Sequence, residues 1–382
     1  MYVDDIIGVS ARVHVGHDLD AARGVCTELL GDNAVQDEKT VVTDSSNRRM
    51  DVIGYTLDLG KQVVTLSRRN FLKTLYLFFN VNTASPVPVK SMGTIALLAS
   101  RYLDICREMK PFTRALYGSY AGLRNRSASV QLKSEAIHSI EMWRAMLCLL
   151  VLNETRFARP FDSFGEKKVT EVIKFDASLE GVGIVLSHRH PASGEESRWG
   201  AGVVPLVELK FGEDSSFQNT CEFLAATIGV LSCLRFQPPD NGSYVVVELR
   251  GDSVTALQWA NSSRFRSASV NKAATLFTLL IVRQHVVIAS VEHVAAEFNG
   301  ECDALSRRDK NGNFRHPLQV VPGVKDLEAD RDWGVRETLR LCDPRSDLPF
   351  HEFWTAVGRV VEFARGDVAD PTVEEGLARR SS

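Results

Sequence analysis

The stretch KKVTEVIKFDASLEGVGIVLSH, residues 167–188, decides the architecture. Two runs rich in β-branched and apolar residues, VTEVIKF and GVGIVLS, flank DASLEG, whose Asp, Ser and Gly are turn formers. The spacing predicts two adjacent antiparallel strands. A third strand, WGAGVVPL (199–206), follows the Pro and Gly of HRHPASGEE. Downstream the period changes. A helix is expected over NTCEFLAATIGVLSCL, a strand over YVVVELRGD, helices over SVTALQWA and NKAATLFTLLIVRQ, a strand over VVIASVEHV, and a short helix over GECDALSRR. The order β-β-β-α-β-α-α-β-α describes an antiparallel meander continued by βα units, which is a mixed sheet covered by helices.

Upstream, residues 1–85 alternate short apolar strands with one helix, LDAARGVCTELLGD, and include MDVIGYTLDLGKQVVTLS, which reads as a hairpin turning near Leu59 and Gly60. Residues 86–165 are helical in period, as in SMGTIALLASRYLDICREM and SEAIHSIEMWRAMLCLLVL, with breaks at Pro111 and at the polar GLRNRSAS. After residue 310 the chain is polar with acidic patches, DLEADRD and DVADPTVEE. One helical pair, WGVRETLRLC and FHEFWTAVGRVVEFA, is expected there. Four segments follow: 1–85, 86–165, 166–310 and 311–382.

With 382 residues, 44% hydrophobic and 24% charged, the chain has the composition of a soluble globular protein of two or three domains. Its seven cysteines are odd in number and scattered, with no pair or Cys/His cluster at zinc spacing. Reduced thiols in a cytoplasmic or nuclear compartment are therefore expected. The most apolar runs, AMLCLLVL and ATLFTLLIV, are too short to span a bilayer, and no basic-then-apolar leader opens the chain, so neither secretion nor a membrane partner is expected. A net charge of −3 excludes a uniformly basic surface, yet eight Lys or Arg face only Asp104 and Glu108 between Lys90 and Lys133. Within that stretch Arg101, Arg107, Lys110, Arg114, Arg124 and Arg126 could track a phosphate backbone or simply form a solvated helix face.

Four acids of the 166–310 segment fall at the ends of strands and starts of helices. Asp176 closes the first strand, Glu222 lies in the first turns of a helix, Asp252 ends the fourth strand and Asp303 opens the last helix. Singly each has a structural reading: Asp176 and Asp252 as turn former or cap, Glu222 and Asp303 as acids favoured by the helix dipole. Taken together with the strand order, they describe carboxylates converging on one rim of a sheet.

In that ordered Asp, Glu, Asp, Asp set and its closing HVAAEFNGECDALSR, the stretch Val169–Arg308 resembles the type 1 ribonuclease H domain of retroelement reverse transcriptases. The resemblance implies an RNase H-like mixed five-stranded sheet with flanking helices. It implies that Asp176, Glu222, Asp252 and Asp303 are the metal-binding, catalytic carboxylates, with Asn299 positioning the last loop. Two Mg²⁺ (or Mn²⁺) ions would activate a water and cover phosphate charge, and clustered carboxylates are suited to such hard cations. The implied substrate is the RNA strand of an RNA/DNA hybrid, read by its 2′-hydroxyls and groove shape. His293, ten residues before Asp303, matches by count a loop histidine that assists product release in some of these domains; packing at a strand end is the other reading. His188 and His190 read as a solvated turn.

The opening YVDD resembles the metal-binding hairpin of reverse transcriptase palms, with Asp4 and Asp5 as its aspartates, Lys39 in the place of a palm lysine and VIGYTLDL in the place of the primer grip. The basic helical stretch resembles thumb and connection. KPFTRALY and the Trp-containing helix are similar to tyrosine-recombinase (DIRS-type) elements somewhat more than to Ty3/gypsy elements. The chain thus reads as a retrotransposon reverse transcriptase/ribonuclease H fragment: a truncated palm, a helical thumb or connection, and an RNase H-like domain. A third palm carboxylate and the fingers would lie upstream of Met1, so Asp4 and Asp5 are expected to be vestigial and no DNA synthesis is expected of this chain alone. The alternative function is an inactive, nucleic-acid-binding remnant of such an element.

Overall fold

A computed structural model describes residues 15–30, 48–52, 54–123, 125, 127–152, 158–161, 168–206, 217–237, 245–262, 270–284, 286–343 and 348–364. In chain order the described elements are α1 (Val15–Leu30), β1 (Arg49–Val52), β2 (Tyr55–Asp58), β3 (Val63–Leu66), α2 (Arg68–Asn80), β4 (Val87–Pro88), α3 (Val89–Tyr102), α4 (Lys110–Gly118), β5 (Ser129–Val130), α5 (Ser134–Leu152) and β6 (Arg159–Pro160). There follow β7 (Glu171–Ala177), β8 (Gly181–Arg189), β9 (Glu196–Pro205), α6 (Gln218–Phe236), β10 (Val245–Gly251), α7 (Val254–Ser262), α8 (Asn271–Arg283), β11 (Val286–His293), α9 (Gly300–Ser306), α10 (Pro317–Val320), β12 (Lys325–Asp326), α11 (Trp333–Cys342) and α12 (Phe350–Ala364). The fold is mixed α/β.

The larger sheet has the order β11-β10-β7-β8-β9-β12. Strands β7, β8 and β9 form the antiparallel meander, β10 lies parallel to β7, and β11 lies parallel to β10. Five strands were expected. The sixth, β12, is a two-residue strand parallel to β9, too short to leave a periodic signal.

Alternation of side chains across the pleat gives this sheet two covered faces. On β7 and β8, Ile173, Phe175, Val182, Ile184 and Leu186 join the main core, packed on α6. Val185 faces the other way and meets Cys302 and Leu305 of α9 in a second, smaller core. Two glycines permit these approaches. A Cβ on Gly183 would collide with the Cys302 carbonyl, and one on Gly229 of α6 would stand 2.6 Å from Ile173 Cγ2.

Helix α6 is buried continuously from Thr220 to Leu234, as expected of a helix apolar all round. Its outer side is covered by α7, α8, α11 and α12. The expected helical pair after residue 310 forms as α11 and α12 and packs on α6 and α8. Gln284 donates to the Val361 carbonyl at 2.8 Å, and the Trp333 and Phe363 rings lie 5.3 Å apart.

The upstream half differs from expectation in three places. The run 50–67 forms the expected hairpin, β2 against β3 with its turn at residues 59–62, but the hairpin is extended into a four-strand sheet by β1 and β6. Residues 68–80 are a second helix, where one was expected before residue 85. Its buried Thr74 and Phe78 turn inward while Leu72, Tyr76 and Phe79 stay exposed, and this apolar outer face blurs the helical period. Pro111 starts a helix instead of breaking one, because at the first turn of α4 its missing N–H has no carbonyl to serve. Trp143 of α5 centres this core, 5.7 Å from the Phe78 ring and 5.6 Å from the Tyr102 ring. The helical half docks on α8, where Thr278 Oγ1 donates to the Glu108 carbonyl at 3.3 Å.

Gly183→Ala should destabilise the protein by about 2 kcal/mol, because the obstacle is backbone. Gly358→Ala on α12, with open space around it, should be neutral or stabilise by roughly 0.5–1 kcal/mol. Urea unfolding of both variants checks the pair.

Candidate functional site

Asp176 stands near the end of β7, in register with Gly183, and points to the α9 side of the sheet because its neighbour Phe175 points to α6. It is 3% exposed. The turn after it is made by Ser178, whose Oγ accepts the N–H groups of Glu180 and Gly181 at 3.0 and 3.1 Å. Asp176 is thereby relieved of the turn-forming role that its place before ASLEG allowed. Instead it accepts a 2.6 Å hydrogen bond on Oδ2 from Ser306 Oγ, at the end of α9.

Glu222 lies one turn into α6 and is 4% exposed. Gln218, one turn earlier, donates through Nε2 to Glu222 Oε1 at 3.0 Å and also contacts the Ala177 carbonyl, which ties the start of α6 to the end of β7. The other oxygen, Glu222 Oε2, is buried with no hydrogen-bond partner among the described residues.

Asp252 follows β10 directly. The cap of α7 is Ser253, whose Oγ accepts from Ala256 N–H at 3.2 Å, so the capping role falls on the serine. The carboxylates of Asp176, Glu222 and Asp252 each offer an oxygen within 4.8 Å of the others, and among the described residues this is the one such grouping of three potential ligands.

The remaining candidates sit around this trio or apart from it. Asp303, in the first turn of α9, is outside the grouping and half-exposed. Its Oδ1 accepts a 2.6 Å bond from Arg307 Nε one turn later. Asn299, 2% exposed, donates from Nδ2 to the Phe175 carbonyl at 3.1 Å, joining the entry of α9 to β7, while its Oδ1 is buried without a partner among the described residues. His293 ends β11 beside Gly251, and its Nε2 lies 3.0 Å from the Asp252 carbonyl, a donor contact that orders the chain at the trio. The expected solvated turn holds for His190 alone, which accepts from Ala192 and Ser193 N–H. His188 lies within β8 and meets Glu171 at 2.9 Å.

Of the basic candidates, Arg101 ends α3, Arg107 lies in the short helical turn before α4, and Lys110 and Arg114 are one turn apart on α4. None of the four makes an ion pair with a described residue. Arg124 and Arg126, like Asp4, Asp5 and Lys39, lie outside the described residues.

Sequence reading missed Ser306 and Gln218. A glutamine one helical turn before a buried glutamate was a legible signal. The serine was not, since its partner Asp176 is 130 residues away.

Burial dominates the electrostatics. It pushes the Asp176 carboxyl up to about 6, helped by the charges of Asp252 and Asp303 and opposed by the Ser306 hydrogen bond. Burial likewise raises Glu222 to about 8, with further push from Asp176 and Asp252 and a counter-pull from Gln218. Two like-charged groups kept from water resist ionising together. A divalent cation removes both penalties, so the orphaned Glu222 oxygen and the shared acid set fit such an ion.

No protein-family model matches the chain, and no curated protein matches it significantly. Among solved structures it is similar to RNase H1 from the halophilic archaeon Halobacterium salinarum NRC-1, at 16% identity over 35% of this chain and 92% of that one, with a TM-score of 0.26. It is also similar to a foamy viral protease-reverse transcriptase in complex with RNA/DNA hybrid, at 13% identity over 76% of this chain, with a TM-score of 0.29. The chain spans about a third of that protein's length, 34%. At these identities and TM-scores, chemistry is assigned from the side chains alone.

Because Asp176 and Glu222 hold their protons more tightly folded than unfolded, their contribution to stability is full below about pH 4. It is lost as pH rises through about 6 and 8. Metal-free wild type should therefore melt at lower temperature at pH 8.5 than at pH 5.5. Glu222→Gln should flatten that dependence and melt above wild type at pH 8.5. Thermal melts in a chelator across this range check it.

Proposed function

We propose that this chain is a metal-dependent nuclease of the ribonuclease H kind, cutting the RNA strand of RNA/DNA hybrids, within a retroelement reverse transcriptase. The observation that carries the reading is the trio Asp176, Glu222 and Asp252, brought from β7, α6 and the end of β10 to within 4.8 Å, with one buried glutamate oxygen unpartnered. That order along the chain is also the order of acids on which the ribonuclease H resemblance was drawn, and the meander continued by βα units is the sheet it implies.

In this reading Asp176, Glu222 and Asp252 hold divalent ions. Asp303, half-exposed and paired with the exposed Arg307, would join them once released from that partner. The chemistry that Mg²⁺ or Mn²⁺ would supply, if held by these acids, is an activated water and cover for charge on the phosphate. The protein's part is to fix the acids before substrate arrives: β7 and α6 are anchored by packing, Asn299 ties α9 to β7, and His293 holds the backbone at Asp252. Arg107, Lys110 and Arg114 give the helical half a cationic stripe that would follow a phosphate backbone without reading sequence.

The test is cleavage of a labelled hybrid by wild type and Asp176→Asn, with and without Mg²⁺. Cutting of the RNA strand alone, dependent on Mg²⁺ and lost in the variant, is expected. Binding of the hybrid without cutting would instead make the chain a non-catalytic nucleic-acid binder. Independently, Lys110→Ala and Arg114→Ala should weaken hybrid binding for all sequences alike, each lowering the slope of log affinity against log salt by about 1.

A further inference from the structure

The two buried carboxylates of the trio are each gripped by a second side chain that comes from a different face of the sheet. From the α9 side, Ser306, fully buried, donates to Asp176 Oδ2 at 2.6 Å. Its other acceptor, the Asp303 carbonyl at 3.0 Å, competes for the same proton and is the longer, uncharged partner. From the α6 side, Gln218 Nε2 donates to Glu222 Oε1 at 3.0 Å. Each carboxylate thus has one oxygen engaged by the protein, and on Glu222 the remaining oxygen is buried and unpartnered.

We infer that Ser306 and Gln218 are positioning residues that set the cation preference of the acid cluster, favouring Mg²⁺ and Mn²⁺ over Ca²⁺. The inference rests on the metal-site reading above. Its reason is the different demand of the two kinds of ion. Ca²⁺ gathers six to eight oxygens at about 2.3–2.6 Å and readily takes both oxygens of a carboxylate, whereas Mg²⁺ needs near-octahedral geometry at about 2.0–2.1 Å and keeps several waters. A carboxylate with one oxygen turned to a buried donor offers a cation its other oxygen only, in a fixed direction. That suits the smaller ion. Removing the donor lets the carboxylate rotate and present both oxygens, which relaxes the preference.

The experiment is calorimetric titration of the full chain with Mg²⁺, Mn²⁺ and Ca²⁺ separately. The proteins are wild type, Ser306→Ala, Ser306→Thr and Gln218→Leu, each checked for wild-type circular dichroism, with Asp176→Asn as control. The ratio of Ca²⁺ to Mg²⁺ dissociation constants should fall about tenfold in Ser306→Ala and in Gln218→Leu. Ser306→Thr, which keeps the hydroxyl, should hold the wild-type ratio. Should Ser306→Ala not fold, Gln218→Leu decides. A ratio unchanged in the folded variants, whether both affinities fall together or neither moves, overturns this inference and leaves the metal site standing. Absence of any divalent binding by wild type that Asp176→Asn abolishes overturns the metal-site reading, and this inference falls with it.

Discussion

Two carboxylates, Asp176 and Glu222, are buried side by side where strand β7 meets helix α6, and the tension between them organises this half of the molecule. Each is kept from water, which raises the proton affinity of both, and the charge of Asp176 raises that of Glu222 further. A fold tolerates such a pair only if something answers the charge, whether a proton, a donor or a cation. Protein donors answer half of it, through Ser306 and Gln218. The Glu222 oxygen that no described residue meets is the other half, and it makes the site receptive to a cation.

The rest of the sheet keeps the pair in that position. β7 is central, with β8 antiparallel on one side and β10 parallel on the other; the β8 ladder runs through Asp176 itself, paired with Gly183, and the β10 ladder fixes the strand as far as Lys174. α6 is buried along its length and ties its first turn to the end of β7 through Gln218. Gly183 and Gly229 let α9 and α6 approach closely enough for their side chains to reach the same strand end. Helices α11 and α12, far along the chain, close over α6 and α8 and complete its burial. Preorganisation of the acids is therefore a property of the whole packed sheet rather than of a loop.

Much of this was legible because it was periodic. The meander, the long apolar helix and the βα units each left a run of the right length, and turn residues marked their ends. What escaped was not periodic or not local. Strand β12 has two residues, and α2 carries Leu72, Tyr76 and Phe79 on its outer face, which hides its amphipathic stripe. At the site, the choice between capping and ligand roles for Asp176 and Asp252 could not be made from spacing, since the neighbouring serines that take the turn and cap are as short-range as the acids themselves. The Ser306 contact spans 130 residues and exists only once α9 lies on the sheet. The Arg307 contact that holds Asp303 outside the trio is a one-turn helix pair that sequence shows but does not rank against a metal.

The most direct test of the central claim is a crystal structure of the full chain grown with Mn²⁺, with the ion located by its anomalous scattering. An anomalous peak ligated by Asp176, Glu222 and Asp252 is the predicted result. A fully ordered site with the three acids in place, saturating Mn²⁺ in the crystal and no peak among them would contradict it.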